Sequence, residues 1–161
     1  MNSTKIKSIF DYNDSYPTCH TTYATLCIYL PDTSDPNTLS EKLGIQPSRT
    51  QVKGEVRNGK VKQWPTAWFL ESKEKIQSKD VRRHIDWLLE QLRDKSEIIQ
   101  QLQIADSEVH ISCFWVSAFG HGGPMLDSGI LKRIAELNLG ISFDIYLEED
   151  DVGETYKHLK S

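Results

Sequence analysis

The residues EVHISCFWVSAFGHGG, from Glu108 to Gly123, decide the fold that we predict for this chain. Two sets of mostly apolar side chains alternate along the first part of this stretch, with the period of a β-strand. One set is Val109, Ile111, Cys113 and Trp115, and the other is His110, Ser112, Phe114 and Val116. A strand that is apolar on both sides usually lies inside a sheet, so we predict a central strand here. The glycine-rich loop that follows is where we expect a site.

The residues after this loop predict one more helix and one more strand. Asp127 or Ser128 can cap a helix that runs to about Asn138, and Gly140 ends it. Apolar residues at helical spacing are expected to form the buried face of this helix, and they are Ile130, Leu131, Ile134 and Leu137. In the final strand, ISFDIYL, four alternate residues are expected to point inward: Ile141, Phe143, Ile145 and Leu147.

The residues before the central strand predict three strands and two main helices. The strands are expected at Thr22 to Leu30, Gln51 to Val56 and Thr66 to Ser72, with a tight turn at Asn58-Gly59. A short helix is expected between the N-cap Asp35 and the stop residue Gly44. A longer helix from Lys79 to Arg93 carries an apolar stripe, and Ser96 can cap a second helical piece.

These elements predict a single α+β domain over residues 22–147, with a mixed β-sheet and helices packed on it. The order of elements is β-α-β-β-α-β-α-β, and the first six have the order of a ferredoxin-like core. Residues 1–21 are polar and aperiodic, and we expect them to form a partly ordered N-terminal arm. Residues 148–161 are expected to form an acidic polar tail.

The composition indicates a soluble, slightly acidic protein. Nineteen Lys and Arg against 23 Asp and Glu give a net charge of -4, which disfavours nucleic acid as a partner. No segment predicts a membrane span or a signal peptide, so we expect a cytoplasmic protein. Cys27 and Cys113 fall in strand patterns and are expected to be buried thiols. The histidines are scattered, so neither a metal site nor a cofactor is expected.

Several short motifs together point to a known family. They are Leu43-Gly44-Ile45, Pro47-Ser48, Lys53-Gly54-Glu55, Trp68 shortly before Ser72, HGGP at 121–124, and Gly140 with FDIY at 143–146. With these motifs the chain resembles the bacterial domain of unknown function family 4279 (DUF4279) from about Thr22 to Leu147. The family has no established activity, so the resemblance implies none. Some members look like neighbours of toxin genes, which implies immunity proteins as one kind of function.

The loop GHGGPM at 120–125 is the first candidate site. His121 is its candidate for acid-base work, and the backbone N–H groups around Gly122 and Gly123 could bind an anion at a helix N-terminus. The loop lacks the Lys-Ser/Thr of a P-loop. The alternative is a sharp turn from strand to helix that requires positive φ angles.

A second candidate lies on the last strand. If that strand neighbours the central one, Asp144 and Ser112 would share a face near His110 and Tyr146. A charged residue within a strand usually has a partner or faces water, so Asp144 is either functional, solvated or held in a structural hydrogen bond.

Two further groups of residues could contribute to binding. Arg49 and Lys53 belong to the one clearly basic segment, whose alternative role is to protect a solvated edge strand. Five strand aromatics could form a stacking platform on an open sheet face, and they are Tyr23, Tyr29, Trp68, Phe114 and Tyr146. The alternative for these rings is the core or a protein interface.

The first hypothesis is therefore a non-enzymatic module that binds another protein, with a toxin as one possible target. The alternative is a small-molecule, nucleotide or RNA-binding domain, or an uncharacterised enzyme that uses His121 and Asp144. No nucleophile motif supports covalent catalysis, and no membrane partner is expected. The candidate binding residues are His121, Gly122, Gly123, Asp144, Tyr146, Trp68, Arg49 and Lys53.

Overall fold

A computed structural model describes residues 11–147 of the 161-residue chain. Residues 1–10 of the predicted N-terminal arm and the whole predicted acidic tail lie outside the described residues. The elements are β1 (Cys19–Tyr29), α1 (Pro36–Leu43), β2 (Arg49–Gln51), β3 (Val56–Arg57), β4 (Lys60–Val61), β5 (Ala67–Glu71), α2 (Val81–Gln91), α3 (Ser96–Ile104), β6 (Glu108–Ser117), α4 (Ser128–Glu136) and β7 (Gly140–Tyr146).

Five of the strands form one mixed sheet in the order β2-β5-β1-β6-β7. Strand β1 pairs antiparallel with both β5 and β6, β2 pairs antiparallel with β5, and β7 runs parallel to β6. Strand β6, which forms the first part of the stretch from Glu108 to Gly123, therefore has a neighbouring strand on each side. The strand at the centre of the sheet is β1. The prediction of a mixed sheet with helices packed on it is confirmed.

The main core lies between the helices and one face of the sheet. Alternate strand residues, such as Leu26 and Ile111, pack there with the apolar stripe of α2. The stripe residues are Val81, Ile85, Leu88, Leu89 and Leu92, and all of them are buried, as predicted. Apolar side chains at helical spacing and at strand spacing thus meet in one layer, which removes them from water.

Capping residues in the sequence determine where two of the helices begin or end. Asp35 caps α1 by accepting a hydrogen bond from the Asn37 N–H, and Gly44 ends it with φ 65°. Asp127, predicted as one of two possible caps, caps α4. The predicted cap at Ser96 is wrong, because Lys95 stands at that position and makes no side-chain cap. Helix α3 packs against β6, and this tertiary contact stabilises the helix although it has no side-chain cap.

The predicted strand from Gln51 to Val56 is wrong. The chain leaves the sheet after Gln51, and Gly54 turns it with φ 80°. A separate hairpin, β3-β4, follows, and Asn58 and Gly59 form its predicted tight turn with φ 52° and 71°. Two positive φ angles in succession fit the turn type that suits the twist of paired strands.

Three residues predicted to point inward are exposed. On β7 these are Ile145, which is 43% exposed, and Leu147, just beyond the strand; on α4 it is Leu131. On β7, the edge strand, the earlier residues Ile141 and Phe143 pack against the core, whereas Ile145 does not reach it. Ile130 and Ile134 carry the contact of α4 with the core.

Candidate binding surface

The side of the sheet that faces away from the helices is the candidate surface, and we call it the outer face. Alternate residues of the five strands build it in register: Arg49, Gln51, Ala67, Phe69, Glu71, Tyr23, Thr25, Cys27, Tyr29, His110, Ser112, Phe114, Val116, Ser142, Asp144 and Tyr146. Three of these residues form a small buried cluster, against which Tyr29 packs: Cys27, Ala67 and Phe69.

Aromatic rings cross the outer face from strand to strand. Tyr23 stacks on Phe114 with ring centroids 4.9 Å apart, and Phe114 meets Tyr146 at 5.2 Å. These three rings, on β1, β6 and β7, are named the three-ring row. A second group forms where Tyr29 stacks on His110 and meets the edge of Phe69, both at 5.8 Å. Four of the five aromatics considered for a platform therefore share this face.

Trp68 does not belong to the outer face, which corrects its place among the candidate binding residues. It is 0% exposed on the helix side of β5, and its indole N–H donates to the Ser40 hydroxyl at 3.0 Å. Neighbouring residues of a strand point to opposite faces, so Phe69 takes the position on the outer face instead.

Charged side chains flank the rings with opposite signs at the two edges. At the β2 edge, the Arg49 guanidinium lies 3.6 Å from the centroid of the Phe69 ring and forms an ion pair with Glu71. Lys73 lies over Tyr23 at 5.3 Å. At the β7 edge, Asp144 is exposed. The outer face thus carries cations beside its rings on the β2 side, where Glu71 partly offsets Arg49, and the carboxylate of Asp144 on the β7 side.

The two basic candidates do not meet the acidic candidate Asp144. Arg49 and Asp144 are on strands four positions apart, which corresponds to roughly 20 Å at the usual strand spacing. Lys53 pairs with Asp32 at 2.6 Å, and both are exposed. The sheet therefore separates Arg49 and Lys53 from Asp144.

Asp144 and Tyr146 form a polar pair beside the three-ring row. The Tyr146 hydroxyl donates to the Asp144 carboxylate at 3.2 Å. Partial burial and the neighbouring Asp144 raise the pKa of Tyr146, so its hydroxyl stays protonated near neutral pH. The predicted common face of Asp144, Ser112, His110 and Tyr146 is confirmed.

The glycine-rich loop lies at the same end of the sheet as Tyr146. The Ser117 hydroxyl donates to the carbonyl of His121 at 2.8 Å and holds the loop against the end of β6. Gly120 and Gly122 have φ angles of 72° and 89°, as a sharp turn requires. A Cβ at Gly120 would lie 3.0 Å from the carbonyl oxygen of Leu147, so the loop runs directly beside the end of β7.

The geometry of the loop disfavours an anion site at the helix N-terminus. Helix α4 begins only at Ser128, and the carboxylate of Asp127 already accepts from the N–H groups of Gly129 and Ile130. The carbonyl of Gly123 accepts from the Tyr16 hydroxyl at 3.0 Å. The N–H groups of Gly129 and Ile130 are therefore already bonded to Asp127, and the positive φ angles of Gly120 and Gly122 fit the sharp turn that was the alternative to anion binding.

His121 stands at the tip of this loop and is exposed, with its ring stacked on Phe119 at 6.1 Å. Phe119 is 70% exposed and has no mark in the sequence beyond its place before the glycines. Between residues 11 and 147, neither a hydrogen bond nor an ion pair joins His121 to Asp144. In the same part of the chain, no group of three His, Cys, Asp or Glu side chains could hold a metal ion.

Sequence reasoning missed two buried polar groups on the helix side. Arg82 lies between Asp80 and Asp127, and all three are buried. The preference of Asp for the N-cap position of a helix would have identified Asp80, whose carboxylate accepts a hydrogen bond from the Arg82 N–H. His84 and Ser72 form the second group with a distance of 2.8 Å between Nδ1 and Oγ. Both are almost fully buried, so substrate has no access to them and the pair is structural.

The fold and the outer face together define an α+β domain with helices on one side of its sheet and an aromatic, charge-flanked surface on the other. The family model described as Domain of unknown function (DUF4279) matches residues 20–148, so the chain belongs to this family. The comparisons with curated proteins and with solved structures found no match. Over the described residues, no helix has the length and apolar character needed to cross a membrane.

Proposed function

We propose that this protein is a non-enzymatic binding module, and that the outer face and the loop at 119–124 bind another protein. The observation that carries the proposal is the three-ring row, which ends at Tyr146, at the end of the sheet where the loop presents the exposed Phe119. Tyr and Phe are favoured anchors at protein interfaces, because they bury a large apolar area at a low cost in conformational entropy.

The charges around the rings support a protein partner. Asp144 on one side and Arg49 on the other allow a partner with complementary charges to bind in one orientation. A toxin neutralised by an immunity protein is one partner of this kind, as the family resemblance implies. The acidic balance of the whole chain, -4, would favour a cationic target.

We also infer a ferredoxin-like core for the four strands β2, β5, β1 and β6. The antiparallel pairing of these neighbours supports the inference, because the β-α-β-β-α-β connection produces such an order when the two helices pack on one face. Strand β7 then extends this core by one parallel strand.

Binding of single-stranded RNA is the second candidate. The half-buried rings of Tyr23 and Tyr146 can also stack nucleotide bases, whereas Phe114 between them is buried, and Lys73 adds a cation beside Tyr23. Asp144 and the net charge of -4 oppose a polyphosphate, so we place this candidate second. Neither His121 nor Asp144 has the buried, paired environment that would favour an enzyme.

Two matched variants test the proposal. The double variant F119S/Y146S removes the loop and strand anchors, whereas I104S changes a residue that is 79% exposed on α3, on the other side of the sheet. Purified wild-type and variant proteins are mixed with the proteins encoded beside the gene, and co-elution is measured. The proposal expects a partner that binds wild type and I104S and is lost with F119S/Y146S.

The same three proteins are then titrated with a fluorescent single-stranded RNA. RNA binding that disappears in F119S/Y146S would establish the second candidate and overturn the first. A protein partner that binds F119S/Y146S as well as it binds wild type would also overturn the proposal, because the contact would lie elsewhere.

A further inference from the structure

The two edges of the sheet differ in how they are protected against pairing. Strand β2 has three residues, and its edge is followed at once by the basic β3-β4 hairpin. Strand β7 has seven residues, Gly140–Tyr146, and contains neither proline nor a basic residue. Edge strands of soluble proteins are usually short, basic or interrupted, because free backbone N–H and C=O groups recruit other strands. Strand β7 is long, uninterrupted and free of basic residues, and its one charge is Asp144.

The outer edge of β7 is open within residues 11–147, since β6 is its one neighbour in the sheet. Gly140, Ser142 and Asp144 are exposed, and so is Ile145 on the helix side. Because a described strand lies on one side of it only, the seven-residue β7 can accept a further strand on its other side.

We propose that a second copy of this chain occupies this edge, with β7 antiparallel to β7 around a two-fold axis at Phe143. Such an interface is isologous and extends the five-stranded sheet to one continuous ten-stranded sheet, with the helices of both subunits on the same side. The inference uses the sheet edge and does not depend on the outer face binding another protein.

The residue pairs of this register are complementary on the outer face. Ser142 lies opposite Asp144 of the partner subunit, where a hydroxyl can donate to a carboxylate. Gly140 lies opposite Tyr146 of the partner subunit, and a large ring beside a strand glycine covers the backbone that the glycine leaves bare. Each of these pairs occurs twice because of the two-fold axis.

The pairs on the helix side are apolar. Phe143 lies opposite its own copy, and Ile141 lies opposite Ile145 of the partner subunit, which would cover the exposed side chain of that residue. A two-fold axis at Asp144 would instead place two carboxylates directly opposite each other, which is unfavourable. An axis at Ser142 would pair a shorter part of the strand. Phe143 is therefore the centre that the side chains favour.

Charge variants at position 142 test both the dimer and its register. Ser142 is exposed, so the monomer tolerates S142D and S142K. S142D places a carboxylate opposite Asp144 of the partner subunit, and S142K creates an ion pair there. The control variant T33D adds the same charge as S142D to an exposed loop before α1. Sedimentation velocity of the full chain over a concentration series gives the dissociation constant of each protein.

We expect a dimer whose dissociation constant rises roughly two- to thirty-fold in S142D and falls by a similar factor in S142K, because two pairs change at once. T33D should match wild type. A chain that is monomeric at every concentration overturns the proposal, and so does a dimer with equal affinity in S142D and S142K, since it would use another surface.

A cross-linking experiment provides a second readout. The native cysteines Cys19, Cys27 and Cys113 are buried, so S142C and D144C introduce the accessible thiols. A mixture of the two variants should form an intermolecular disulfide on mild oxidation, whereas each variant alone should cross-link less. Equal yields in the mixture and in the separate variants would contradict the register.

Discussion

The guanidinium group of Arg82 donates to the carboxylate of Asp127 at 2.9 Å, although the two residues are 45 positions apart in the chain. Arg82 lies in the first turn of α2, and Asp127 caps α4. Arg82 also bonds Asp80, the cap of α2, at 2.6 Å. One buried cation therefore joins the beginnings of two helices and compensates the carboxylates that cap them.

We expect R82M to destabilise the protein by about 3–5 kcal/mol, because the two buried carboxylates lose their cation. The free energy of unfolding is measured by urea denaturation. R83M is the control, since Arg83 pairs with Asp14 in an exposed position and its loss should cost less than about 1 kcal/mol. Equal costs for the two variants would show that the buried pair contributes no more than an exposed one.

The second prediction concerns the pH dependence of stability through His84. Its Nε2 donates to the Ser78 carbonyl at 2.9 Å, so Nδ1 is an acceptor in the neutral ring. The Ser72 hydroxyl lies 2.8 Å from Nδ1, and its one hydrogen is shared between Nδ1 and the carbonyl of Ala24 at 3.0 Å. Burial lowers the pKa of His84 below its usual value of 6.5, although the Ser78 carbonyl and Asp80 oppose this shift. At a pH between the folded and the unfolded pKa of His84, the unfolded chain therefore binds a proton that the folded chain does not.

Stability should therefore decrease as the pH falls from about 6.5 toward the folded pKa of His84. Urea denaturation between pH 7.5 and pH 5 measures the slope. H84Q keeps a polar side chain but does not titrate, so its stability should depend less on pH in this range. A slope in H84Q as steep as that of wild type would assign the effect to other groups.

The third prediction concerns the loop glycines. G122A should destabilise the protein by roughly 1–3 kcal/mol, because residue 122 has φ 89° and a Cβ there would lie 2.5 Å from the Cβ of Thr18. G123A is the control, since nothing lies within 4 Å of its Cβ position and its φ is not positive. Thermal or urea unfolding measures both. Equal stability of G122A and wild type would contradict the close approach to Thr18.

The fourth prediction concerns thiol reactivity. Burial raises the pKa of Cys19 and Cys27 to about 11 and that of Cys113 to about 12. Because the thiolate is the reactive form, all three cysteines should react slowly with a thiol reagent at pH 8 in the native protein. They should react fast in denaturant. Fast reaction of any one cysteine under native conditions would show that its site opens.

Short-range signals in the sequence predicted most elements of the fold. The Asp35 cap, the Gly44 stop and the Asn58-Gly59 turn are all found where their local chemistry places them. Each depends on a residue's own φ angle or on a hydrogen bond to a neighbour in sequence, which is why it can be read locally. The strand predicted from Gln51 to Val56 failed because β-forming residues there were interrupted by Gly54.

The candidate surface was predicted in part. Alternation along β6 and β7 predicted that Ser112, His110, Asp144 and Tyr146 share a face, given that the strands are neighbours. Trp68 was misplaced because aromatic residues of one strand occur on both faces, and alternation does not say which face the helices cover. The position of β7 at the edge likewise decided that Ile145 is exposed.

By itself, the sequence determined the family, the α+β class and the positions of most helices and strands, because these follow from motifs, periodicity and capping within a few residues. Only the tertiary structure decided which strands are neighbours, which face carries the three-ring row and which helix caps share Arg82. Those features arise from contacts between residues far apart in the chain, where burial and charge compensation, rather than local propensity, select the partners.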